Sequence, residues 1–165
     1  MKWFDRKFDF SFDTDYYTTV YERLKQAPDR LRQLTPTILE DRLTAQPDGK
    51  WSIKEHTGHL SVLEPIWRIR FHDILESKPV LTPADLTNKA TTEAGFNSHT
   101  LSSLLDQFTA ERKATLALLD SIDVRDGSKT SLHPRLQQPM RIIDMVYFVA
   151  EHDDHHISVI RELIG

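Results

Sequence analysis

The sequence predicts an all-α protein, an up-down four-helix bundle, and three observations carry that expectation. Apolar residues recur at spacings of three and four along three long segments and along an interrupted N-terminal one. No stretch alternates at period two for long enough to demand a sheet. Polar stretches bearing proline or glycine separate the periodic segments. The 165 residues match one ordinary domain and show no internal repeat or composition shift, so residues 1–165 read as a single domain.

The first helix is expected to start near Asp13 or Thr14, either of which can cap it, and to run through Tyr17, Val20, Tyr21 and Leu24. Pro28 suits the first turn of a continuation with Leu31 and Leu34 on one side. Pro36 interrupts again, Ile38, Leu39 and Leu43 form a short amphipathic piece, and Pro47-Asp48-Gly49 makes a turn. Ser52 is an N-cap with Glu55 as its capping-box partner, and the helix that follows reaches about Glu76. Pro65 lies inside it and predicts a kink or local break, because proline lacks the N–H for the bond to residue 61. Residues 78–95 read mostly as loop. Asn97 or Ser98 starts a helix to about Ile122, with Leu101, Leu104, Leu105, Phe108, Leu116 and Leu119 as its apolar stripe. A second connection spans 125–138. Pro139 suits the first turn of the last helix, which ends near Leu163.

Composition narrows the function. Hydrophobic residues are 39% and charged residues 28%, a globular balance. With 21 basic and 25 acidic residues the chain lacks the basic excess of a general nucleic-acid binder. It has no cysteine, which excludes disulfides, zinc–thiolate sites and a cysteine nucleophile. Any thiol chemistry would need a thiol brought by another molecule. The start, MKWFDRKFDFSF, is too charged for a signal peptide, and no apolar run approaches the roughly 18 residues that span a bilayer. A soluble cytoplasmic protein without nucleic-acid or membrane partners is expected.

The last helix carries the most informative pattern. Met145, Val149, His152, His156, Val159 and Leu163 alternate spacings of four and three, an inward-facing seam. His152 and His156 lie one turn apart on that seam, where two imidazoles can converge on one metal ion. His155 sits at the edge of the seam, about 60° from His152 and 100° from His156, and reads as solvated or supporting. Asp153, Asp154 and Glu151 are expected to be exposed. A third ligand must come from another helix, and on spacing His56 and His59 are equal candidates. Gly58 beside His59 marks close helix packing, since mid-helix glycine otherwise costs about 1 kcal/mol. His72, His99 and His133 have no patterned neighbours and no expected role.

Trp51-Ser52-Ile53-Lys54-Glu55 followed by Gly58-His59-Leu60 resembles the WSxxE…GHL signature of the DinB superfamily. Glu64, Trp67 and Arg70 resemble the family's ExxWxxR continuation, and residues 150–156 resemble its AEHDxHH stretch. The resemblance implies a four-helix bundle, often homodimeric, that binds a divalent metal through three histidines. It maps the ligands to His59, His152 and His156. It also implies thiol-dependent transferase or isomerase chemistry, as in some relatives.

Three imidazoles leave coordination positions open, as in a catalytic site, whereas structural zinc is usually closed by four ligands. Zinc or nickel suits such a site first, and iron or manganese also fits. The leading expectation is a transferase that activates a low-molecular-weight thiol cosubstrate toward a small-molecule substrate. A hydrolase of a small ester or amide is the second, and a non-enzymatic, stress-related metal-binding bundle the third. Arg70 lies about three turns beyond His59 and, facing inward, would hold the carboxylate of a substrate or cosubstrate; facing outward it would be a surface residue or a partner of Glu64. Trp67 reads as core, and Tyr147 is a distant candidate proton donor.

Overall fold

The computed structural model describes residues 3–35 and 37–165. Among the described residues there are six α-helices: α1 (Tyr17–Leu34), α2 (Glu40–Thr44), α3 (Ile53–Leu75), α4 (Lys89–Glu93), α5 (Leu101–Asp120) and α6 (Ile142–Ile164). The four long ones form the expected four-helix bundle. Each is packed mainly on two neighbours, α1 on α6 and α5, and α3 on the same pair. Going round the bundle the order is α1, α6, α3, α5, so α1 faces α3 across a diagonal. Among the described residues no helix is long and apolar enough to cross a membrane.

The helix boundaries follow local chemistry, with corrections. The capping box at α3 forms as expected: the Glu55 N–H donates to Ser52 Oγ at 3.1 Å, and the Ser52 N–H to Glu55 Oε2 at 2.8 Å. Asp13 makes no side-chain cap, and a 3₁₀ turn over Thr14–Tyr16 leads into α1 instead. α1 does not break at Pro28, which is buried inside it. The Leu24 carbonyl that Pro28 leaves without an N–H receives Arg112 Nη1 at 2.6 Å, so the interruption is repaired from outside the helix. α3 likewise runs through Pro65 without a break. The interruption expected at Pro36 lies outside the described residues. In the piece after it Leu43 is buried, Ile38 packs half-buried against the core, and Leu39 is 79% exposed. α5 begins at Leu101, later than Asn97 or Ser98, because Thr100 supplies the cap to the Ser103 N–H at 3.1 Å.

The last correction concerns Pro139. It lies in a two-stranded antiparallel hairpin, β1 (Ser131–Leu132) with β2 (Pro139–Met140), paired Ser131 to Met140 and Leu132 to Pro139. The turn closes through Gln137 at φ 54°, whose N–H donates to the His133 carbonyl at 2.9 Å. The Leu132 carbonyl opposite it accepts the Leu81 N–H at 3.0 Å, so proline's missing donor leaves no unpaired acceptor there. The α6 helix starts only at Ile142, where the Asp144 carboxylate accepts the Arg141 N–H at 2.8 Å.

The core is divided. One apolar cluster gathers Val20, Leu24, Phe71, Ile74, Leu119, Met145 and Val149. The other gathers Ala27, Leu31, Ile53, Leu60, Leu105, Phe108 and Ile157. On each long helix the break between the two falls at the same level, and there Arg112, Glu64 and Asp153 are buried. Arg112 of α5 donates to Glu64 of α3 at 2.6 and 2.9 Å, to Asp153 of α6 at 2.7 Å and to Leu24 of α1. The Thr115 hydroxyl donates to the other Glu64 oxygen. One guanidinium thus joins all four helices at the level of the histidines. Asp153 was expected to be exposed; pairing with a buried cation is what carries it inside.

Candidate metal centre

Two helix segments bring the histidines together. The capping box fixes the start of α3, which places His56 and His59 in its first two turns. His152 and His156 occupy successive turns of α6, the neighbour of α3. Close approach at this end depends on Gly58, where a Cβ would lie 2.5 Å from the Phe96 ring. The close contact at Gly58 is thus with a ring on the 3₁₀ turn Phe96–Ser98, where the sequence suggested a neighbouring helix.

His59, His152 and His156 are all buried, and each offers a ring nitrogen within 4.8 Å of the others. His152 Nε2 and His156 Nε2 are 3.2 Å apart. A tetrahedral ion with metal–nitrogen bonds of 2.0–2.1 Å has ligand–ligand edges of about 3.3 Å. The outer nitrogens are arranged to match. His59 Nδ1 is 2.8 Å from Thr91 Oγ1, and His156 Nδ1 is 2.8 Å from His56 Nδ1. Such outer partners fix ring orientation and tautomer in metal sites. His152 Nδ1 is buried with no partner among the described residues. The donor set fits a divalent ion.

Aromatic rings enclose the cluster. The Trp51 ring is 4.7 Å from His59 and 6.2 Å from His156, and Trp67 meets His152 edge to face at 5.6 Å. Trp3 stands 5.0 Å from His152 on the other side. Burial among these rings penalises the imidazolium form. His59 is pushed down to about 3 and His56 to about 4, burial being the largest cause for both. His152 and His156 fall well below the usual histidine value, through burial first, then through His59, His155 and Arg112 for His152 and through His152, His59 and His56 for His156. The rings are therefore neutral at pH 7, the form that ligates metal.

The cluster opens on a cavity of about 1020 Å³. Arg70 lines this cavity and is 3% exposed. Of the two positions the sequence left open, Arg70 takes the inward one, and it is not the partner of Glu64, which is taken by Arg112. Trp67 is core and cavity wall at once. His155 is half-buried at the rim, its ring 5.2 Å from His156. Asp154 and Glu151 are part-buried in ion pairs with Arg23 rather than free in solvent. Tyr147 packs among Phe10, Phe12 and Tyr16, away from the cavity lining. His72 and His99 are exposed.

Sequence reasoning missed two contributors and gave a third the wrong part. Thr91 sits on α4, inside the stretch read as loop, and carried no periodic signal. His133 is 2% exposed beside Arg70, held there by the hairpin that the sequence did not announce. His56 was weighed as a ligand; the structure puts it behind His156.

These features can be set beside known proteins. A Bacillus licheniformis protein named as a candidate metal-dependent hydrolase is 26% identical over 151 residues, covering 84% of this chain and 79% of its own. The solved structure of YfiT from Bacillus subtilis, described as a probable metal-dependent hydrolase with an unusual four-helix bundle topology, has a similar fold. It superposes with a TM-score of 0.80 at 23% identity, over 96% of this chain and 91% of YfiT. The DinB superfamily model matches residues 23–160, a span that includes every residue of the histidine cluster and both motifs that resemble the family. The chain belongs to the DinB superfamily.

Proposed function

We propose that this chain is a metal-dependent hydrolase of a small ester or amide, with one divalent ion held by His59, His152 and His156. The observation that carries the reading is the convergence of three buried, neutral imidazoles on the wall of a cavity of ligand size. The names of the two relatives support hydrolysis over other chemistry at such a site. A divalent ion with open positions lowers the pKa of a bound water or thiol and polarises a carbonyl. The protein's residues do the rest. Thr91 and His56 hold two of the rings in place. Trp51 and Trp67 exclude water from the flanks, and Arg70 binds an anionic part of the substrate. Zinc or nickel is the proposed ion, in a cytoplasmic homodimer.

Thiol transfer is the second reading. It is favoured by a cavity at the top of the 300–1000 Å³ range for one small ligand, which leaves room for a thiol cosubstrate beside an electrophile. It is also consistent with the absence of cysteine from the chain.

The test is elemental analysis of untagged protein, followed by assays of zinc- and nickel-loaded protein. One arm is a panel of small esters and amides; the other is a panel of thiols with a model electrophile. The proposal expects about one metal per chain and ester or amide cleavage that is lost in His59→Ala. Acceleration confined to the thiol arm moves the assignment to transfer. Failure of the purified protein to hold or take up zinc or nickel at neutral pH overturns both readings. Tight metal retention with no acceleration in either arm leaves the bundle a metal-binding module.

A further inference from the structure

The far side of the cavity from the imidazoles holds a cluster of donors with too few acceptors. Arg70 Nε donates to the Thr82 carbonyl at 2.9 Å, and its Nη1 lies 3.2 Å from His133 Nε2. His133 Nδ1 accepts two backbone N–H groups, those of Arg135 at 3.2 Å and Leu136 at 3.1 Å. Burial and the two flanking arginines push His133 down to about 3, so the ring is neutral. With Nδ1 accepting, its one proton is on Nε2. The imidazole N–H and the guanidinium N–H therefore face each other, and neither can accept. Arg135 adds a third donor: its Nη1 reaches the Phe4 carbonyl at 3.1 Å, while its Nη2 is buried without a partner.

Among the described residues neither Arg70 nor Arg135 forms an ion pair. Asp73, the nearest acidic influence on Arg70, is occupied by Lys78 and the Thr82 N–H, both at 2.7 Å. Asp85 at the rim accepts the N–H groups of Thr87 and Lys89. A buried guanidinium normally has a partner, and one left without it in a cavity wall is an acceptor-binding site. Trp67 links this site to the metal centre: the Arg70 guanidinium carbon is 5.4 Å from its ring centroid and the His152 ring 5.6 Å.

We propose that Arg70, His133 and Arg135 form a carboxylate-binding subsite, and that the substrate of the metal centre carries a carboxylate at the end remote from the bond that reacts. A planar carboxylate offers two oxygens that can accept from the guanidinium and the imidazole N–H together, with Arg135 closing over it. The remaining wall, Trp67 and Phe148, suits an apolar linker between the two ends. The substrate assignment rests on the proposed metal function; the binding of a carboxylate does not.

The test is calorimetric titration of benzoate, benzamide and inorganic phosphate into metal-free and zinc-loaded protein, with hydrogen exchange as a check on folding. Benzoate binds the metal-free protein, and benzamide binds at least tenfold more weakly. Arg70→Met weakens benzoate by about 10–100-fold, the range for a charge-assisted contact, and leaves benzamide and zinc binding unchanged. Arg135→Met, at a half-buried position, weakens benzoate severalfold and decides the matter if Arg70→Met does not fold. Equal binding of benzoate and benzamide, or benzoate binding insensitive to both substitutions, overturns the subsite. So does benzoate binding that needs zinc and disappears in His59→Ala, since the carboxylate would then sit on the metal. Tighter binding of phosphate than of benzoate overturns the carboxylate class. If zinc is not bound at all while benzoate still binds metal-free protein, the metal function fails and the subsite stands.

Discussion

At the scale of single residues, the site is a set of imidazoles whose protons are assigned by their outer partners. His56 and His156 face each other through Nδ1, so one donates and the other accepts, and Thr91 does the corresponding work for His59. His56→Phe and Thr91→Val should each weaken zinc about 10–100-fold by freeing a ring, and His155→Ala should do no more than that, whereas His59→Ala, His152→Ala and His156→Ala should abolish tight binding. Competition with a chelator of known affinity measures all six. The same rings set an acid limit. Their folded-state values lie far below the unfolded value of about 6.5, so the unfolded chain binds more protons at mildly acidic pH. Stability is then complete above pH 6.5 and falls as pH drops toward the values of about 3 to 4. The metal-free protein should lose on the order of 1 kcal/mol per buried histidine per pH unit below 6.5. Urea melts between pH 7 and 5 read this slope, and replacing His133 with Phe should flatten it.

At the scale of helices, the buried Arg112 explains two departures from sequence expectation. It carries Asp153 into the core, and it occupies the carbonyl that Pro28 leaves open, so a proline in mid-helix does not divide α1. The grip is mutual, since among the described residues Glu64 and Asp153 have no other cation in contact. Removing one member leaves unpaired charge inside. Arg112→Leu should therefore destabilise by about 3–5 kcal/mol. Adding Glu64→Gln and Asp153→Asn to that variant should restore a good part of the loss, because the charges left behind, rather than missing attraction, cause most of it. Chemical denaturation of the single and triple variants checks both statements; equal instability in the two would assign the loss to packing alone.

At the scale of the whole molecule, the polar level joined by Arg112 divides the core, and the histidine cluster flanks it. Metal binding should therefore stabilise the bundle as a unit, since the proposed ligands come from both α3 and α6. At zinc 100-fold above its dissociation constant the gain is about 2.7 kcal/mol, seen as a raised melting temperature that chelator reverses and His156→Ala abolishes. All three tryptophans contact the cluster, so intrinsic fluorescence should report the same titration.

Helical periodicity alone specified the bundle, because an amphipathic stripe has one way to hide. The i, i+4 pair of α6 announced His152 and His156, since that spacing fixes their common face whatever surrounds them. The choice of His59 over His56 was not legible from spacing, because both lie near one face of α3; it came from the resemblance. The α4 turn, the hairpin and the place of His133 were invisible for a different reason. They are short, and their contacts join positions far apart in sequence: Thr91 to His59, and Arg70 to His133. The neighbour order round the bundle and the sharing of Arg112 among four helices are likewise properties of packing. Local pattern records which face of an element is buried; only the tertiary structure decides what that face meets.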